Sequence, residues 1–486
     1  LTSVLTPRKG FYNLEPKTAT RSIKLKTFSV LWAIATLFHL AHSGLFDVQL
    51  NYALLSIAAM FVIFRPSLRS LMVLIVLQLY EVITLMPHAT NHWLFTGFVN
   101  LTILHILIDY IIRHRSLKVN EDSFFNSISR AIRWEIIILY FYAVFHKLNS
   151  GFFTSDTSCA TELFKAQNID SVISLTPALI AINPYAIIFI ELLIPLLLIF
   201  NKTRHAAILI GFFFHCVLSY NSYNAFYDFS SMILAAYFLF MDDNIGGWIV
   251  KQKNRFVSVR ENYLRKYSTR KVLFLFFLIL VFIVLVYILN KTLTTYSNFH
   301  LYFFWTIFSI LYISIFIAFL LHRRTALHNL ENKKPIVALR LKHGAFALVP
   351  ILVFINGISP YLGLKTEGSF SMFSNLRTEG GVSNHYIIPA SFQIFDYQKE
   401  VVEIISSTDK TLEHRAKEQK LMVLFELQNY VVERKTKEVV FSFEGKQYHY
   451  KRGTQEIPLL QNDSYALSRL MKFRTFPKNG PQPCGH

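Results

Sequence analysis

Apolar runs long enough to cross a bilayer alternate with short polar stretches from near residue 28 to near residue 359. A helical span takes about 20 predominantly apolar residues, with roughly 17–25 as the working range. About eleven runs approach that length; they lie near 28–45, 52–64, 70–86, 93–112, 132–147, 185–200, 205–221, 226–241, 271–290, 299–321 and 345–359. The run 171–183 is interrupted by Pro177, is too short to cross, and reads as re-entrant or interfacial. Beyond Ile358 the pattern changes. Residues 401–406 and 439–443 read as short strands, and Glu444-Gly445-Lys446 as a turn into 447–451, a predicted hairpin. Residues 420–434 space Leu421, Leu424, Phe425, Val431 and Val432 as an amphipathic helix would. The expected fold is mainly α, a polytopic transmembrane helical bundle with a small α+β domain at the C-terminus. Its expected parts are a basic segment at 1–27, a membrane domain at 28–359 and the C-terminal domain at 360–486.

Composition agrees. The chain is 53% hydrophobic and 16% charged, against about 25% charged in a soluble protein, and its mean hydropathy is +0.38. The net charge of +19 is distributed as membrane topology demands, which removes the need for a nucleic-acid partner, and no nucleic-acid motif is present. Arg8, Lys9, Lys17, Arg21, Lys24 and Lys26 precede the first run; Arg65 and Arg69 follow the second; Arg113, Arg115, Lys118, Arg130 and Arg133 follow the fourth. Lys202 and Arg204 follow the sixth, a dense basic stretch over 251–271 follows the eighth, and Arg323, Arg324, Lys333 and Lys334 follow the tenth. The intervening loops are nearly bare, so the N-terminus is expected to be cytoplasmic and the C-terminal domain extracytoplasmic. The first apolar run follows a basic segment and lacks a small-residue cleavage site, so no signal peptide is expected. Cys159, Cys216 and Cys484 lack paired metal-ligand spacing, and no metal is expected. Cys159 and Cys484 both fall on the predicted outer side, where an oxidising exterior permits a bridge.

Ionisable residues within spans are costly and are functional candidates by default. His39 and His42 fall late in the first run, Asn91 and His92 at the start of the fourth, Lys147 at the end of the fifth and Asn221 after the seventh. His42, Asn91, His92, Lys147 and Asn221 fall at or near the outer face, with His215 a turn or two deeper. A lysine, histidines and amides converging from separate segments are the ingredients of a general acid–base site. The competing reading is interfacial anchoring, a common use of Lys, His, Tyr and Trp at span ends. Glu81 and Glu191 fall in mid-span and Asp109 nearer the other end, as internal hydrogen-bonding partners or a proton path. Lys365-Thr-Glu-Gly368 recurs as Arg377-Thr-Glu-Gly380, either a pair of similar turns or a functional loop.

The stretch Tyr140-Phe-Tyr-Ala-Val-Phe-His-Lys-Leu resembles the Tyr-Phe-x-Ala-Gly-x-x-Lys-Leu pattern of vitamin K-dependent γ-glutamyl carboxylases and their bacterial HTTM-domain relatives. Asn91-His92 resembles that family's Asn-His, and the region of His215 and Asn221 resembles a further block more loosely. Pro360-Tyr-Leu-Gly-Leu-Lys-Thr-Glu-Gly368, with Phe373-Ser-Asn-Leu-Arg-Thr-Glu-Gly-Gly381 and Ser383-Asn-His385, resembles a block typical of bacterial members. Two positions depart: Val144 stands where the family has glycine, and Phe152 and Phe153 stand where tryptophan follows.

The resemblance implies an integral-membrane enzyme that oxygenates a reduced lipid quinone to its epoxide and uses the base so formed to carboxylate glutamate. The co-reactants are reduced vitamin K or a related quinol, O2 and CO2. By resemblance Lys147 is the base that deprotonates the quinol and His92 serves beside it; Asn91, Tyr142, His146, His215 and Asn221 are expected to bind the quinol or substrate. The expected partners are the lipid bilayer, the lipid quinol and a glutamate-containing peptide or protein. The expected location is a bacterial inner membrane or its equivalent, multi-pass, with the active site on the extracytoplasmic side. Two alternatives stand beside it: a quinone-using oxidase that does not carboxylate, and a non-enzymatic scaffold or transporter with an external binding domain.

Overall fold

The computed structural model describes residues 23–43, 49–153, 157–167, 174–222, 226–266, 299–326, 337–461 and 464–485. Twelve helices precede the C-terminal sheet among these residues, leaving aside single helical turns. They are α1 (Ile23–Ser43), α2 (Leu50–Phe64), α3 (Leu68–Leu85), α4 (Asn91–His114), α5 (Glu121–Phe145), α6 (Cys159–Lys165), α7 (Pro177–Ile199), α8 (Arg204–Ser219), α9 (Tyr227–Tyr237), α10 (Ile245–Lys266), α11 (Phe299–Ala326) and α12 (Leu348–Ile358).

Six stretches among them are long and apolar enough to cross a membrane: Ile23–Ala41, Leu68–Leu85, Asn91–His114, Pro177–Ile199, Leu301–His322 and Gly344–Leu362. Among the described residues, then, six such stretches stand, or seven if the bent pair Tyr227–Phe240 and Ile245–Ser258 is one span, against the eleven expected. The run 271–290 lies outside the described residues. Helices α2 and α8 have 15 and 16 residues; at 1.5 Å per residue they measure about 22–24 Å, short of a hydrocarbon core of about 30 Å. The run 226–241 ends as a helix at Phe240, and the chain continues from Ile245 at an angle of 108°. Helix α5 starts at Glu121 and carries Arg130, Arg133 and Glu135 toward its middle. The described part of 171–183 is not re-entrant. Thr176 Oγ1 accepts from Leu179 N–H, Pro177 occupies the first turn, and the helix runs on to Ile199. Proline suits that position because the first-turn N–H would have no intrahelical partner.

The lipid-crossing reading rests on which faces are turned outward. Along α7, Leu179, Ile182, Tyr185, Phe189, Leu192 and Leu196 are exposed at steps of three and four residues, while Glu191, Ile194 and Leu198 are buried. Helix α12 does the same with Leu348, Ile351, Leu352 and Ile355 outside and Val349, Val353 and Asn356 inside. Such apolar outer stripes are the reverse of a water-facing amphipathic helix and match helices long and apolar enough to cross a membrane. The centre of the bundle is α9, in which every residue except Phe229 is buried.

The C-terminal part holds one five-stranded antiparallel sheet, β1 (Val401–Ser407), β2 (Lys420–Val423), β3 (Glu438–Phe443), β4 (Lys446–Lys451) and β5 (Phe476–Pro477), ordered β4-β3-β1-β2-β5. The predicted hairpin forms: Phe443 pairs with Lys446 across Glu444 and Gly445, at φ 49° and 75°, the left-handed pair of a type I′ turn. The expected helix over 420–434 is corrected in its first part. Lys420–Val423 is strand β2, with Val423, Met422 and Leu421 opposite Val401, Val402 and Glu403, and only Leu424–Glu433 is helical. Cys159 is joined to Cys484, tying helix α6 to the end of the chain.

Candidate functional site

Helix ends meet at one cavity of about 530 Å³. Its walls come from the turn 87–93 leading into α4, the last turns of α5, the middle of α7, the end of α8, the start of α9 and the loop 367–373. Most of the lining is apolar, with a few ionisable groups set into it, the usual make-up of a small-molecule site.

Lys147 is placed by the way α5 stops. His146 N–H returns to Tyr142 O, Lys147 N–H to Val144 O and Leu148 N–H to Phe145 O, so the chain keeps turning past the last helical residue. Asn149 then fixes the exit. Its Nδ2 donates to His146 O and Ser374 O, both at 2.7 Å, while its Oδ1 accepts from Phe152 N–H at 3.0 Å. Lys147 is left 7% exposed, and its Nζ donates to both carboxylate oxygens of Glu191, at 2.7 and 2.6 Å.

A second acid–base couple faces the same cavity. His92 Nε2 lies 3.3 Å from Asp228 Oδ2, and the His39 ring packs against the His92 ring with centroids 5.0 Å apart. A third polar group is Tyr140, whose hydroxyl shares hydrogen bonds with His215 Nε2 at 2.8 Å and with the Tyr237 hydroxyl. Asn91 works at the wall: its Oδ1 accepts from Phe370 N–H at 2.7 Å, holding the loop 367–373 against α4. Phe370 has φ 64° and Gly368 φ 64°, so this loop follows a left-handed course that the asparagine helps fix.

Lys147, His92, Asn91 and His215 all line the cavity. Tyr142, His146 and Asn221 do not. Tyr142 Oη donates to Phe354 O at 3.0 Å; His146 pairs with Tyr361 Oη at 2.9 Å and Ser369 O at 3.1 Å; Asn221 Nδ2 donates to Leu163 O at 2.9 Å. Helical geometry explains the division on α5. Tyr140, Ala143 and Lys147 fall at i, i+3 and i+7 on one face, whereas Tyr142 and His146 fall on the other, against α12. Val144 also lies off the cavity, and Phe152 lines it. The His42 side chain lies outside the described residues.

Glu191, Asp228, Tyr140 and Glu367 line the cavity without having been singled out for it. Glu191 is on the one buried side of an otherwise lipid-facing helix, and Tyr140 is two turns before Lys147; both signals were present in the spacing. Glu81 and Asp109 stand apart from the cavity, Asp109 accepting from Arg113 Nε at 2.8 Å. In the cavity wall, burial pushes the Glu367 carboxyl upward against the pull of Arg474 and Lys472, and nearby burial brings Lys365 down to about 8. Among the described residues no group of three His, Cys, Asp or Glu side chains is placed to hold a metal ion.

The arrangement can hold and pass protons between buried amine, carboxylate, imidazole and phenol groups inside an apolar chamber. Comparison with family models, with curated proteins and with solved structures returned no match.

Proposed function

We propose that this chain is a multi-pass membrane enzyme of the vitamin K-dependent carboxylase type, acting on a reduced lipid quinone and on glutamate side chains of a peptide or protein. The observation that carries the reading is the Lys147–Glu191 pair facing an apolar cavity, with His92 and Asp228 on the same cavity. An apolar chamber with few polar groups suits a fused aromatic ring, and its α7 and α8 walls belong to helices with lipid-facing sides. When bound, a reduced quinone supplies with O2 the strong base that carboxylation by CO2 requires.

The chain's own part is proton handling. Lys147 Nζ accepts a proton from a hydroxyl only when its third proton rests on Glu191, so the pair acts as one base. His92 Nε2 stands between Thr90 Oγ1, at 3.0 Å, and Asp228 Oδ2, at 3.3 Å, and the two together orient the ring at the cavity. The loop 367–373 forms one wall of the chamber and narrows the access of bulk water to these groups.

The cavity is assigned to the extracytoplasmic side. Helix α4 starts at the cavity with Asn91 and ends at the opposite end with Arg113 and His114. The same far end carries Arg130 and Arg133, which donate to the carbonyls of Arg340 and Ala338. Basic residues gather on the cytoplasmic side of membrane proteins.

The quinol-oxidase reading without carboxylation draws on a specific feature: Lys147, the lysine of the cavity wall, is already engaged by Glu191, leaving it no charge to spare for a substrate carboxylate. One experiment separates the readings. The protein in lipid nanodiscs is given reduced vitamin K, labelled CO2 and a glutamate peptide, and epoxide and fixed label are measured separately. Both products are expected, and both should vanish in Lys147→Gln, which keeps a donor toward Glu191. Epoxide without fixed label selects the oxidase, and neither product overturns the enzymatic reading.

A further inference from the structure

We infer that the segment 382–395 is an interfacial membrane anchor, through which the C-terminal part sits in the lipid headgroup and upper acyl region on the cavity's side of the bilayer. It rests on the membrane reading of the helices and is independent of the chemistry assigned to Lys147.

From Gly380 to Phe395 the sequence contains no Asp, Glu, Lys or Arg, and the first charges after it are Asp396, Lys399 and Glu400. Its apolar side chains point away from the protein. Tyr386 is 62% exposed, Ile387 60% and Ile394 70%, with Val382, Phe392 and Phe395 also exposed. Of its polar side chains, His385 and Gln393 are buried and Ser383 and Asn384 half-buried, with Ser391 exposed. A segment destined for water has the opposite sorting, and a contiguous exposed apolar patch marks an interaction surface.

The segment is held rigidly where the helices end. Tyr386 N–H donates to Leu148 O at 2.9 Å, and His385 Nε2 is 2.9 Å from Phe145 O, both at the end of α5. Ile394 and Phe395 N–H both donate to Leu362 O, just past the end of α12. Gln398 Nε2 donates to Pro360 O and Leu364 O, closing the base.

Continuity identifies the occupant. Phe395 emerges beside Leu362, beyond the exposed row Leu348, Ile351, Leu352 and Ile355 of α12. On the other flank Phe153 bridges the Tyr386 ring, at 6.0 Å, to that of Tyr185, at 4.9 Å, on the outer stripe of α7. The patch is thus one surface with two lipid-facing helix stripes, and it stops at Asp396, where charge begins. Isoleucine and phenylalanine on the apolar side with a tyrosine at the edge fit the interfacial zone of a bilayer.

The test uses the full chain in lipid nanodiscs, with Cys216→Ser and the Cys159–Cys484 bridge kept. Ile387→Cys and Ile394→Cys, made separately, are labelled with an environment-sensitive fluorophore. Lys446→Cys on the exposed β3–β4 turn is the reference. Lipids carrying a nitroxide near the headgroup are expected to quench both loop probes at least three-fold more strongly than the reference, with blue-shifted emission. Equal quenching at all three positions would overturn the anchor. So would crosslinking of two chains through residue 387, which would assign the patch to a second copy. Either site suffices should the other variant fail to fold, and the readout is independent of turnover.

Discussion

Lys147 Nζ reaches both carboxylate oxygens of Glu191, two helices apart in the chain and both buried in the same wall. Burying either charge alone is costly, and removing one partner of a buried pair leaves the other uncompensated, at about 3–5 kcal/mol. Lys147→Ala is therefore expected to lower stability by roughly that amount. Lys147→Ala with Glu191→Leu should recover much of the loss, because the stranded carboxylate is gone. Thermal unfolding in nanodiscs reads the cycle; equal stability of the single and double variants would mean that the pair is not formed.

Asp228 is argued to act through His92 and not on substrate directly. Asp228→Asn keeps the size of the side chain and removes the charge beside the ring; under the proposed activity, quinol turnover falls by about 10²-fold. The pH dependence of turnover should shift as well, which a merely structural residue would not cause. Asp228→Glu should restore part of the rate. An unchanged pH profile with unchanged rate in Asp228→Asn would overturn the positioning role of Asp228.

Tyr142 is assigned to packing. A Cβ on Gly357 would overlap the Tyr142 ring, which has little room to yield, with the His146 and Phe354 rings 5.1 and 5.5 Å away. Gly357→Ala is expected to destabilise by about 1–3 kcal/mol. Adding Tyr142→Leu should relieve it, while the cavity and its ligand affinity stay unchanged. A ligand-affinity loss in Tyr142→Leu alone would return this residue to the binding site.

Glu426 sets a pH dependence in the C-terminal part. Burial raises its carboxyl to about 7, partly opposed by a hydrogen bond from Phe473 N–H and by Lys472 and Arg415. Because the folded value lies above the unfolded one, its contribution is fully present below about pH 4.5 and is lost as pH rises through 7. Stability is expected to fall across that window by up to about 3 kcal/mol. Glu426→Gln, whose amide oxygen still accepts from Phe473, should flatten the slope. Lys365 acts in the opposite sense at higher pH: with its folded value near 8 against 10.5, stability rises between those values. Thermal unfolding from pH 5 to pH 10 checks both signs, and an unaltered slope in Glu426→Gln would refute the first.

Much of this was legible along the chain. Long apolar runs give helices long and apolar enough to cross a membrane, with exposed apolar stripes on their outer faces. The meeting of Asn91, His92, Lys147 and His215 at one end follows from their places near span ends. Even Tyr140 over Tyr142 was decidable, since 3.6 residues per turn put only Tyr140 on the face of Lys147. What the chain alone left open are facts of rotation and partner choice. Glu191 faces Lys147 because of how far α7 is turned and shifted along its axis, which depends on every side chain packed beneath it. Asp228 meets His92 because α9 is the buried centre of the bundle. Residues 420–423 carry a helical pattern yet form strand β2, because Val401, Val402 and Glu403 offer a backbone edge and apolar partners from outside the segment. Local spacing determines which residues share a face; only packing decides what that face meets.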